Sequence, residues 1–195
     1  MAVNWNGEIQ AQMRFYWDFS LWPRLEGLTD AEFYWEPVPN CWTVRRLPDG
    51  RHAPDGAYPE PDPPPVTTIA WRMGHLVVDV LESRINWHFG DRTANRDAID
   101  WPSTAAEARQ RLRNAYLTWS EHLQELDDEA LAVPVGGAEA PQWADFPLVA
   151  LILHLNREFI HHGAEIALLR DLYRARPQDQ DQGQGTAGES GWAPS

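Results

Sequence analysis

Apolar residues recur at helical spacing in four stretches of the chain. Between residues 5 and 25, Ile9, Met13, Tyr16, Trp17, Leu21 and Leu25 follow the i, i+3, i+4 rule. This predicts a helix that Pro23 and Gly27 interrupt or end. Thr29-Asp30-Ala31-Glu32 has the form of a capping box, in which the Thr hydroxyl and the Glu carboxylate each take a free backbone N–H. It opens a short helical turn through Trp35. Residues 66–89 are apolar on nearly all sides, the mark of a central helix. Thr104-Ala105-Ala106-Glu107, a second capping box, starts a helix to about Leu126 whose outer face carries Glu107, Arg109, Arg111 and Arg113. Pro147 suits the first turn of a fourth helix running to about Ala175.

The polar segments between these stretches set the organisation. Residues 47–65, LPDGRHAPDGAYPEPDPPP, are expected to form no regular element, because Pro fixes φ and removes donors while Gly supplies turns. Residues 90–103 connect. Residues 127–145 form a second irregular connector in which Val133-Pro134-Val135 is a candidate extended piece. Four amphipathic helices around one core imply an all-α protein, a four-helix bundle with long connecting loops over residues 1–175. Residues 176–195 are rich in Gln, Gly and Asp and are expected to be a disordered tail.

Composition narrows the partners. The 195 residues carry a formal charge of −13, and all 16 basic residues are Arg. Such acidity argues against nucleic acid or an anionic membrane surface as partner. One cysteine excludes an internal disulfide. MAVNWNGEIQ has neither the basic nor the apolar region of a signal peptide, and no run reaches the roughly 18 apolar residues of a membrane span. A cytoplasmic protein is expected.

The fourth helix holds the chemistry. At about 100° per residue, Leu148, Leu151, Leu155, Phe159, Ile166 and Leu169 form the core stripe, and Glu158 and His162 fall within it or on its margin. His161, Arg157 and Ala164 lie well outside, and His154 and Glu165 sit on the near border. A carboxylate on an apolar face is costly unless paired or bound to a cation. Glu158 and His162, four residues apart, can share one ion. His75, in the apolar second helix, is a candidate third ligand. His75, Glu158 and His162 would make a two-His, one-carboxylate set with open positions. The same residues are also compatible with a structural Glu–His hydrogen bond and a core histidine.

Three segments carry a resemblance. 28-LTDAEFYWEPVPNCWTVR-45 is similar to the loop after the first helix of DinB-like proteins, 67-TTIAWRMGHL-76 to the second-helix motif ending in a metal-binding His, and 158-EFIHHGAEIALLRD-171 to the last-helix motif. The resemblance covers most of residues 5–175. It implies a four-helix bundle holding a divalent metal (Zn, Ni or similar). Aligned on Leu169-Arg170, the ligand pair falls on Glu158 and His162, as in the mycothiol-dependent maleylpyruvate isomerase branch. An alignment on Gly163 would instead give Arg157 and His161, but Arg cannot ligate a cation. His154, His161, Glu165 and Trp71 would border the ligand set.

The resemblance implies three classes of function. One is a metal-dependent thiol S-transferase or isomerase acting on a small electrophile, with mycothiol as co-substrate. The Lys-free, Arg-rich composition of a GC-rich actinobacterial genome suits that thiol. Bacillithiol is the other thiol that the resemblance implies, and Arg72, Arg84 or Arg157 would meet the carboxylate of such a thiol. The second is a metal-assisted hydrolase with Glu165 or His154 as general base. The third is a non-catalytic stress-response or binding protein with a structural metal. A homodimer fits both the pairing common in such bundles and the eleven Trp residues, a large number for one core.

Overall fold

The computed structural model describes residues 3–95 and 98–177. The expected tail from residue 178 onward lies outside the described residues. Helix α1 spans residues 5–24: it is α-helical at Trp5–Tyr16, π-helical at Trp17–Leu21 and α-helical again at Trp22–Arg24. Pro23 gives the widening a cause, since it has no N–H to offer the preceding turn and its ring crowds that turn's carbonyl. A short helix α2, Asp30–Phe33, is capped by Thr29, whose side chain accepts from the Glu32 N–H. Helix α3 covers residues 69–89, with a π-helical stretch at His75–Glu82 between α-helical Ile69–Gly74 and Ser83–Phe89. Helix α4 is Ala105–Gln124, capped by Thr104, and α6 is Leu148–Ala175.

Two expectations about the connectors are corrected. Segment 47–65 is not wholly irregular: strand β2, His52–Pro54, pairs antiparallel with β1, Val44–Arg46, with Val44 opposite Pro54. A three-residue edge pairing tolerates Pro54 at its end, where no ladder donor is required. The connector after α4 contains a helix, α5 (Asp128–Ala132), capped by Asp127. Val133-Pro134 runs extended, with Pro134 bridged to Pro147 and Leu148 bonded to the Val133 carbonyl, whereas Val135, expected to continue it, has already turned to helical angles.

The protein is predominantly helical, and the long helices do not simply alternate in direction. Tyr16 bonds to Ile160 and Arg24 to Ala167, so α1 and α6 run the same way. Glu82 pairs with Arg111 and Phe89 packs on Trp119, so α3 and α4 are also parallel to each other. His75 opposite Glu158 and Arg72 opposite Glu165 set α3 antiparallel to α6. Parallel neighbours need a connector as long as a helix. Residues 90–104 can span it, since 21 helical residues rise about 32 Å and 15 extended residues reach about 50 Å.

The core lies where the four helices meet, around Leu21, Met73, Leu76, Leu112, Ile152 and Phe159, each at most 1% exposed. Gly74 lets the crossing connector press in: a Cβ there would stand 2.2 Å from the buried Trp101 ring. Arg170 is 2% exposed and reaches across the core. It donates to both Glu32 oxygens, at 2.6 and 3.0 Å, and to the carbonyls of Arg24 and Glu26. The pair fastens α2 and the end of α1 to α6.

Candidate metal centre

His75 opens the π-helical stretch of α3, and Glu158 and His162 face it from α6. The wheel separates the two adjacent histidines correctly: the His162 side chain is 9% exposed and that of His161 67%. His75 Nε2 lies 3.4 Å from Glu158 Oε2, and His162 Nε2 lies 3.2 Å from the same oxygen. One ligand atom from each of the three lies within 4.8 Å of the others.

The outer nitrogens decide the chemistry. His75 Nδ1 is 2.9 Å from Asp79 Oδ2, and His162 Nδ1 is 2.7 Å from Glu165 Oε2. An ionised carboxylate only accepts, so each Nδ1 carries a proton and donates it. In a neutral ring the Nε2 lone pair then points toward Glu158. Two lone pairs and a carboxylate oxygen converging on one point repel unless a proton or a cation lies between them. Two imidazole nitrogens and a carboxylate, each imidazole oriented by a further carboxylate, form a donor set that suits a divalent ion such as Zn or Ni.

The protonation of the site follows from the same contacts. The hydrogen bond from His75, aided by the positive field of His154 and His162, outweighs burial and holds Glu158 at a pKa of about 2. Burial pushes His75 down, but hydrogen bonds to Asp79 and Glu158 more than offset it and leave the ring above its ordinary value. Burial would raise Glu165, yet its hydrogen bond with His162 and the nearby Arg72 keep it low. Arg72 Nη1 is 3.1 Å from His162 Nδ1 and 3.0 Å from Glu165 Oε2. With Nδ1 protonated both nitrogens are donors, so the attractive partner of Arg72 is Glu165.

Of the bordering residues, Trp71 lies nearly flat against His75, with centroids 5.4 Å apart, and donates its Nε1–H to the Asp55 carbonyl at 2.9 Å. That bond carries segment 47–65 up to the site. His154, 43% exposed at its side chain, approaches Glu158 Oε1 at 3.6 Å and Arg157 at 3.2 Å. His161 lies 3.3 Å from Glu165 Oε1 at the surface. Asp79 was missed in the sequence, although it is the one acid in the apolar run from Val66 to Leu81, four residues after His75. Such an acid needs a partner for the same reason as Glu158.

A second polar cluster lies further along α3. Glu139, from the connector after α5, meets His88 Nε2 at 3.0 Å and Arg84 Nε at 3.3 Å. Arg84 Nη1 also donates to the backbone carbonyl of Asp79, so the connector is tied to the helix that carries His75. A cavity of about 310 Å³ between α1 and α4, walled by Met13, Trp17, Tyr116 and Trp119, contains none of the converging residues.

No helix among the described residues is long and apolar enough to cross a membrane. No curated protein and no solved structure matches the chain. The helical architecture, with a His/Glu cluster held between its second and last long helices, agrees with a family-model match over residues 20–166, and on that match the chain belongs to the DinB superfamily.

Proposed function

We propose that His75, Glu158 and His162 hold a divalent metal and that the site activates a small thiol, of the mycothiol type, for attack on a small electrophile. The observation that carries this reading is the convergence of two Nε2 lone pairs and Glu158 Oε2, with both Nδ1 atoms fixed by Asp79 and Glu165. When bound, the ion supplies a Lewis acid that lowers the pKa of a thiol or water in an open position. Asp79 and Glu165 keep the imidazoles in the ligating tautomer, and Trp71 shields one face of His75. The thiol's proton leaves to solvent. Its sulfur bonds to the electrophilic carbon as a leaving group departs with the bonding pair, or adds and later departs in an isomerisation. The chain's own cysteine is not the nucleophile: Cys41 is 2% exposed, with Sγ 3.0 Å from the Val38 carbonyl.

Hydrolysis is the second reading, with the ion lowering the pKa of a bound water instead; neither of its two candidate general bases is free. Glu165 is engaged by His162, Arg72 and His161. His154 is half-exposed beside Arg157, and burial and that arginine lower its pKa.

The test is cobalt loading. The protein should take up about one ion per chain, and added thiol should bring up an intense sulfur-to-cobalt absorption. His162→Ala should abolish uptake and His161→Ala should not. Cobalt protein that shows no sulfur band at any thiol concentration yet cleaves esters would favour the hydrolase. A full metal site with neither signal would leave the ion a structural role.

A further inference from the structure

Helix α6 is apolar on the side turned away from the core as well as on the side that builds it. Leu153, Ile160, Ala164 and Leu168 are all exposed, and at about 100° per residue they fall within one outward arc of about 80°. A helix that is apolar all round is normally covered on both sides. The neighbouring α1 continues the same face. Its Tyr16 donates to the Ile160 carbonyl and lies against Gly163, where a Cβ would stand 2.2 Å from the hydroxyl oxygen, so the two helices touch there. Beside Tyr16, Phe15 and Phe19 stand 64% and 72% exposed, with ring centroids 5.0 Å apart.

The size of this face and its residue order say what covers it. Two helices side by side, each about 10 Å across and about 30 Å long over the span of α1, present about 600 Å² before side-chain relief is counted. That is the upper end of the largest apolar patch on a typical monomer, about 300–600 Å², and close to the roughly 800 Å² that each partner of a stable complex buries. The chain's own residues 178–195 are poorly suited to it, since Trp192 is their only large apolar side chain.

A second copy suits it better. In an isologous interface each contact occurs twice, i with j and j with i. With α6 antiparallel to its copy and the two-fold axis at Ala164, residues equally far from Ala164 meet. Ile160 then faces the partner's Leu168, four positions to either side, and Arg157 faces the partner's Asp171, seven to either side. Both charged residues are exposed, and Arg24 takes only Oδ1 of Asp171, which leaves Oδ2 to accept. The same axis crosses α1 near Trp17, level with Gly163, and sets Phe15 against the partner's Phe19. Ala164, with a single methyl, allows close approach at the axis. A parallel pairing would instead set Arg157 on the partner's Arg157 and Asp171 on the partner's Asp171, and such like-charge contacts are costly.

We propose that the outer face of α1 and α6 is a homodimer interface, with the two copies antiparallel about a two-fold axis at Ala164. Glu158 and His162 point to the other side of α6, so the pairing leaves the His/Glu cluster uncovered and does not depend on the metal reading.

The test is sedimentation velocity of the full chain over a concentration series. The unchanged protein should form a dimer that dissociates on dilution. Ala164→Glu, which places two like charges at the axis, should be monomeric with its helical circular dichroism retained. Arg157→Asp and Asp171→Arg each set like charges opposite one another twice, and each should weaken the dimer about tenfold or more. An equal mixture of those two variants should regain the lost affinity as a heterodimer, because every Asp then meets an Arg; this recovery also shows that both variants fold. A dimer that survives Ala164→Glu overturns the proposal, as does a mixture no tighter than its components. A protein that stays monomeric up to the millimolar range also overturns it, and adsorption of that monomer to phosphatidylcholine vesicles would assign the face to a lipid surface instead.

Discussion

Replacing Glu32 by Gln should destabilise the protein more than any exposed substitution, and the geometry says by how much. The Glu32 and Arg170 side chains are 5% and 2% exposed, with contacts of 2.6 and 3.0 Å. Glu32→Gln leaves the guanidinium buried without a counter-charge, a loss of about 3–5 kcal/mol. Arg170→Met leaves Glu32 unpaired and also strips the Arg24 and Glu26 carbonyls of their donor, so its loss should be at least as large. In Glu32→Leu/Arg170→Met both charges are gone. What remains is the two orphaned carbonyls, about 1–3 kcal/mol each at most, set against new apolar packing. The double variant should therefore fall short of the sum of Glu32→Leu and Arg170→Met by about 2 kcal/mol or more. Urea unfolding of the unchanged protein, Glu32→Leu, Arg170→Met and the double variant, followed by circular dichroism and tryptophan fluorescence, gives the cycle, and Glu32→Gln is measured beside it. Additive losses, or single losses below about 1 kcal/mol, would refute the account of this pair as the fastening of α2 to α6.

Other expectations follow from single contacts. Gly74→Ala places a methyl 2.2 Å from the Trp101 ring, and overpacking of that kind should cost about 1–3 kcal/mol, read as a lower melting temperature. Asp79→Asn removes the carboxylate that orients His75 and should weaken metal binding about 10- to 100-fold, measured by competition with a chromophoric chelator; unchanged affinity would deny Asp79 that role. Glu139 is pushed up by burial, but the hydrogen bond from His88 and the charge of Arg84 hold it below the ordinary carboxylate range. A carboxylate whose folded pKa is depressed contributes stability above its unfolded value and loses it as pH falls through the folded value. Unfolding free energies measured from pH 7 down to the acid range should accordingly fall less steeply for Glu139→Gln than for the unchanged protein.

Much of the helical architecture was legible in the sequence, because helices are specified by neighbours. The 3.6-residue spacing of Ile9, Met13, Tyr16 and Trp17, and the caps at Thr29 and Thr104, act within one or two turns, and both Thr side chains cap as expected, while Glu32 leaves its box to bind Arg170 and Glu107 accepts from Ser103. The wheel also told inward His162 from outward His161, since a side chain's face depends only on its place in its own helix. Contacts between distant segments were not legible. Arg170 meets Glu32 across 138 positions, and Glu139 meets His88 across 51. Neither partner's local pattern says which segment will face it. The β1–β2 pairing was hidden for a similar reason: three residues rich in Pro and Gly context carry no periodicity, and the ribbon exists because Trp101 and Asp100 bind His52 from the crossing connector. The arginines near the site show the division most plainly. The sequence offered three on equal terms, and only the tertiary structure set Arg84 against Glu139, turned Arg157 outward and placed Arg72 against Glu165 beside the His/Glu cluster.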